Sequence, residues 1–295
     1  MLFEFDSPLL QPRMGKVNPW LALGFPISII LGYTAYSGAT RQDLYRLETP
    51  SYAAQGIGQD ISNLFIVLPA FTASLILSWR KSLRALLVHT GVLAYLVYSY
   101  SMYAITLHFN SLFLMYVSCF GLSFYSMVGI LVNIDSGALH TSITGRSSHK
   151  WFRIGLASLF ILVAALFYVM WLSEIIAHLQ TGTTPHSIAE TGLPSNMVHV
   201  LDIGVVLPLF VLTALWLLLD SRFGYLFAPV VLNFTLCMSV ALTSMVYFMY
   251  VKGVTETVAP CLLFVVLFVL NLAFDIKYLS LLSGHTLELQ EDKQE

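Results

Sequence analysis

The chain has 295 residues, 57% of them hydrophobic and 10% charged, with a mean hydropathy of +0.78 and a formal net charge of -2. Soluble domains carry about 25% charged residues, so this deficit, together with apolar runs long enough to cross a bilayer, excludes a soluble globular protein. Long unbroken runs exclude a β-barrel, whose strands alternate, and the slight negative charge argues against nucleic acid as a partner.

In chain order, residues 1–18 read as a short cytoplasmic segment whose stretch from Leu2 to Leu10 is acidic. Lys16 followed by an apolar stretch loosely fits a signal peptide, but the long leader before it favours a retained first span. Hydropathy then predicts eight spans: Pro19–Tyr36, Ile57–Trp79, Ala85–Leu107, Ser111–Val132, Phe152–His178, Met197–Leu219, Tyr225–Tyr250 and Val254–Leu279. Residues 280–295 form a charged cytoplasmic tail. The expected fold is all-α: a polytopic helical membrane protein with about eight transmembrane helices in one domain, 19–279. With the N-terminus inside, Arg13, Lys16, Arg80, Lys81, Arg84, Arg146, Lys150, Arg153, Arg222, Lys277 and Lys293 face the cytoplasm, against Arg41, Arg46 and Lys252 outside. That asymmetry is a positive-inside signal and places both termini in the cytoplasm, in a plasma membrane. The turns around Phe109 and Gly253 are the weak joints. One bent helix in place of two there would invert every later span.

Asp60-Ile61 and Asp202-Ile203 each open an apolar run that closes on an arginine, Arg80 and Arg222. An offset of 142 residues superposes them and suggests two parallel four-helix repeats, 19–140 and 152–279. Val67-Leu68-Pro69-Ala70-Phe71 also resembles Val206-Leu207-Pro208-Leu209-Phe210, three residues out of that register. Chance similarity between apolar helices is the competing account.

Ionisable groups inside a membrane are expensive, about 2.5–3.5 kcal/mol at mid-span on insertion scales, and so mark candidate sites. Here they gather at the extracytoplasmic ends: Asp60 and Asn63, Tyr103 and His108, Glu174 and His178, His199 and Asp202. Helical spacing puts Glu174 with His178, His199 with Asp202, and Asp60 with Asn63. Asp202, five residues into its span, lies about 8 Å deep at 1.5 Å per residue. Each has an ordinary reading as well. A carboxylate is favoured at a helix N-terminus, Asn196 caps a helix, and tyrosines and histidines populate membrane interfaces.

A carboxylate beside an imidazole suits proton transfer. His108, Glu174, His199 and Asp202 are the conceivable metal ligands, but no HExxH or comparable spacing supports a metal site. His89, His108, His178 and His199 lie too near span ends for a haem pair, no cofactor motif is present, and no serine sits in a nucleophile elbow. Cys119, Cys237 and Cys261 lie within spans and form no CxxC pair. At the cytoplasmic side, Asn271 and Asp275 form a polar pair within reach of Arg80 or Arg222. The expected partners are the bilayer and a small polar solute or a lipid. The first functional expectation is transport of, or response to, a small polar solute or proton. The alternatives are a membrane enzyme acting on a lipid or lipid-linked substrate, and a non-catalytic assembly or sensor partner. The sharpest expectation places the chemistry at His199 and Asp202.

Overall fold

The structure is a computed structural model that describes residues 14–144 and 149–282. The leader through Arg13, Arg146 and the tail beyond 282 lie outside the described residues.

Eight long apolar helices form one bundle: α1 Lys16–Thr40, α2 Pro50–Trp79, α3 Leu83–Thr106, α4 Phe113–Leu131, α5 Lys150–Thr181, α6 Met197–Leu218, α7 Arg222–Val251 and α8 Ala259–Leu281. Among the described residues there is no strand, as expected where every backbone group must be satisfied away from water. Both weak joints are real breaks. Leu107 is extended after α3, and Gly253 turns after α7 at a φ of 70°. The second helix starts at Pro50 rather than Ile57. Thr49 Oγ1 accepts from the Tyr52 N–H at 3.3 Å, and Pro50 fits the first turn, where no donor is needed. The polar residues Gln55 and Gln59 hid this start from a hydropathy reading.

α3 and α7 are the central pair, with 72% and 67% of their most apolar stretches buried against 17% in α8. Small residues let backbones meet without lipid between them. α3 crosses α7 at Gly91, where a Cβ would lie 2.4 Å from Asn233 Cβ. α2 lies on α7 at Gly58, where a Cβ would stand 2.7 Å from Met245 Cα and from Ser244 O. α6 instead packs mainly on α5 and α7.

Within α2 and α6 the helix opens into a π-turn, Asn63–Val67 and Asp202–Val206, directly before Leu68-Pro69 and Leu207-Pro208. The widened bonds run from Leu68 N–H to Asn63 O and from Leu207 N–H to Asp202 O. A proline ring clashes with the carbonyl four residues back and brings no N–H. A π-turn ahead of it relieves both problems and is a known device of functional helices. The two helices also end alike. Lys81 and Asp220 take positive φ, 68° and 56°. Ser82 N–H bonds Leu77 O and Lys81 N–H bonds Ser78 O, as Ser221 bonds Trp216 and Asp220 bonds Leu217. This is the Schellman pattern, built without glycine.

All of these matches fall at an offset of 139 residues, Pro69 to Pro208, and not at 142. In that register Asp202 stands opposite Asn63, and Asp60 opposite His199. Arg80 caps the end of α2 whereas Arg222 opens α7, so they are not equivalent.

At the basic end of the bundle Asp220 accepts from Arg153 at 2.6 Å and from Tyr225 at 2.6 Å, with His140 at 3.5 Å. Partial burial pushes its carboxyl up, but the Tyr225 and Arg153 donors pull it further down, to about 2. The tie therefore holds above the ordinary carboxylate range and is lost only as pH falls towards 2.

Candidate functional site

The polar residues predicted at one end of the spans do not form one cluster. The structure distributes them over a sealed site, a cavity wall and the surface loops.

The sealed site belongs to Asp60, 2% exposed. Its Oδ2 accepts a short bond from Tyr45 and its Oδ1 accepts from Tyr103 at 2.9 Å. Gly38 of α1 closes over it, and a Cβ there would fall 1.7 Å from Oδ2. Asn63, fully buried, accepts from Tyr95 at 2.7 Å. So Asp60 and Asn63, though neighbours in sequence, serve different tyrosines of α3.

The second group surrounds Trp171. Asp202, 9% exposed, accepts from Tyr98 at 3.0 Å on Oδ1 and from the Trp171 indole at 2.8 Å on Oδ2. His199, 8% exposed, packs at a tilt of 51° against the same indole, with ring centroids 4.8 Å apart. Its Nε2 lies 3.3 Å from Glu174 Oε2, an ion-pair distance. Glu174 Oε1 accepts from the Ser187 N–H at 2.7 Å. His199 and Asp202 thus share Trp171, and each keeps its own carboxylate or donor set.

Two predicted members lie elsewhere. His108 sits in the loop after α3, where its N–H and Nδ1 meet Glu48 at 2.8 and 3.1 Å. His178, exposed, has Nδ1 2.6 Å from Thr183 O, so it does not join Glu174. Among the described residues no group of three or more His, Cys, Asp or Glu side chains is placed to hold a metal. At the basic end Asn271 and Asp275 are both buried, but each looks elsewhere: Asn271 donates to Leu267 O at 2.7 Å, and Asp275 accepts from Asn233 at 2.9 Å. His89 is fully buried with Nδ1 3.0 Å from Ser74 Oγ, packed on Phe71.

Between these groups lies a cavity of about 570 Å³. α2 and α3 contribute one side, and α5, α6, α7 and α8 the other. Gly58 brings α2 onto the α7 backbone, and both helices contribute to the cavity wall. At the end beside the α5–α6 connection, its mouth, lie Gln55, Glu174, Glu190 and Asp202, and Gln59 and the apolar Val163, Phe210, Phe234, Leu242 and Phe264 also line it. Tyr103, Glu174 and Asp202 line it; Asp60, Asn63, His108, His178 and His199 do not. The short helix His186–Thr191 covers the mouth. Glu190 accepts a short bond from Ser51, Thr49 Oγ1 donates to Glu190 O at 2.8 Å, and Gly182 and Gly192 flank the cover, each at a φ of 70°.

Sequence reasoning missed Tyr45, Tyr95, Gln59 and Glu190. Tyr95 carried a usable signal, being three residues before Tyr98 on one helical face. Tyr45 and Glu190 lie in connecting segments, where no period marks them. No family model matches the chain, and no curated protein or solved structure matches it significantly.

Proposed function

We propose that the protein is a plasma-membrane transport protein whose solute site is the cavity between α3, α5, α6 and α7. The observation that carries this reading is the cavity itself, of a size typical for small-molecule sites, with convergent polar groups at one end and an apolar body. Its walls come from both halves of the chain, which we read as parallel repeats, 19–140 and 152–279, offset by 139 residues. The π-turns beside Asn63 and Asp202 supply points where α2 and α6 can bend. The cover 186–191 between two glycines suits a gate. Arg80, Lys81, Arg84, Arg153, Arg222 and Lys277 crowd the end away from the mouth, which supports a mouth facing outward and termini facing the cytoplasm.

The enzyme reading is the weaker one. A general base must reach its substrate, and His199 is held between Glu174 and Trp171, off the cavity wall. The test is counterflow uptake in proteoliposomes against a panel of amines, sugars, amino acids and organic acids. At least one solute is expected to be taken up, and a bulky Ser99→Trp substitution, which fills the cavity, should abolish that flux. A wild type silent across the panel, or flux indifferent to Ser99→Trp, contradicts the transport reading.

A further inference from the structure

We infer that the cavity takes an amphipathic organic cation: one positively charged nitrogen on an aromatic or branched apolar body. The inference rests on the reading of the cavity as a solute site.

Charge comes first. Asp202 lines the cavity and is nine-tenths buried, and both its donors, Tyr98 and Trp171, are neutral. Among the described residues it has no ion-pair partner. A carboxylate left buried without a counter-charge is costly, and an incoming cation removes that cost. The other two wall carboxylates have histidines nearby: Glu174 has His199 at 3.3 Å and Glu190 has His186 at 3.7 Å. Among the described residues no lysine or arginine lines the cavity. An anion would meet three carboxylates, Glu174, Glu190 and Asp202, and a neutral solute would leave Asp202 as it is.

The wall chemistry is the second observation. Trp171, Phe167, Phe210, Phe234 and Tyr98 present rings, and Met102, Met170, Met238 and Met245 present polarizable sulfur. Ring faces attract cations carried by a ligand, and methionine adapts to irregular apolar bodies. A bare metal ion would find too few oxygens and too much hydrocarbon.

The experiment compares benzyltrimethylammonium with its neutral carbon isostere, neopentylbenzene, and with benzylammonium, which adds N–H donors. Binding to the full chain in nanodiscs is read by equilibrium dialysis. The wild type is expected to bind the quaternary cation at least tenfold tighter than the neutral isostere, with benzylammonium equal or tighter. Asp202→Asn should reduce that preference to within about twofold. The wild-type comparison needs no variant, so it stands even if Asp202→Asn fails to fold. Equal or tighter binding of the neutral isostere, binding of neither cation, or an undiminished preference in a folded Asp202→Asn protein overturns the inference. The transport reading fails separately: cation binding with no flux removes the carrier and keeps the cation site. Flux of a neutral or anionic solute with no cation preference does the reverse.

Discussion

Gly58→Val is expected to destabilise the bundle by about 3 kcal/mol or more, and to lower its melting temperature in detergent by several degrees. The cause is backbone meeting backbone. A Cβ at Gly58 would lie 2.7 Å from Met245 Cα and Ser244 O and 2.8 Å from Met245 N, and none of these is the end of a flexible side chain. α2 must then leave α7, and Ser244 Oγ loses its 2.6 Å bond to Gly58 O. Gly121→Val is the control, because a Cβ at Gly121 meets nothing within 4 Å. That variant should change stability by less than about 1 kcal/mol. Thermal unfolding followed by size-exclusion chromatography measures both. Similar melting temperatures for the two variants would refute the close approach of α2 and α7.

Asp60→Ala should cost about 2–5 kcal/mol. It removes the acceptor from two buried hydroxyls, Tyr45 and Tyr103, and each stranded donor costs about 1–3 kcal/mol. Asp60→Asn keeps the shape and one carbonyl acceptor and should cost clearly less. Asp60 is not itself on the cavity wall, and its partner Tyr103, which is, keeps an amide-oxygen acceptor in Asp60→Asn. Folded Asp60→Asn protein is therefore expected to keep its ligand affinity within about twofold, where Asp202→Asn loses the cation preference. This contrast separates the two aspartates more sharply than any sequence argument. Loss of the cation preference in Asp60→Asn as large as in Asp202→Asn would show that the sealed site and the cavity act as one.

The bundle was readable because its signal is physical and repeated. Twenty or so apolar residues per span leave few alternatives, and all eight helices lie where hydropathy puts them. Pro69 and Pro208 also spoke through the sequence, since their shared Leu-Pro block marks the 139 register of the two π-turns. The competing Asp-Ile match was more conspicuous but falls three residues out of the register of the two π-turns. A dipeptide matches by chance far more easily than a proline with its backbone consequence.

The site was less legible. Helical spacing gives which residues share a face, but not what faces them. His178 and Glu174 are four apart, yet Thr183 takes one and Ser187 with His199 takes the other. His108 lies in a loop, and its partner Glu48 is sixty positions away, with no periodicity to announce it. The cavity could not be read from composition. Its walls come from six helices far apart in sequence, and that convergence appears only when the helices are laid side by side.

The central claim is that a solute-sized, cation-preferring cavity runs past Ser99 and Asp202. The most direct measurement is thiol accessibility of Ser99→Cys in nanodiscs, with Cys119, Cys237 and Cys261 replaced by alanine. Ser123→Cys serves as reference, since Ser123 is fully buried, without a partner, and off the cavity wall. Ser99→Cys should react with a trimethylammonium thiosulfonate, faster than with the sulfonate analogue by a ratio above that of an exposed cysteine, and benzyltrimethylammonium should protect it. Ser123→Cys should stay inert. A Ser99→Cys as inert as Ser123→Cys, or one that prefers the anionic reagent, would contradict the account.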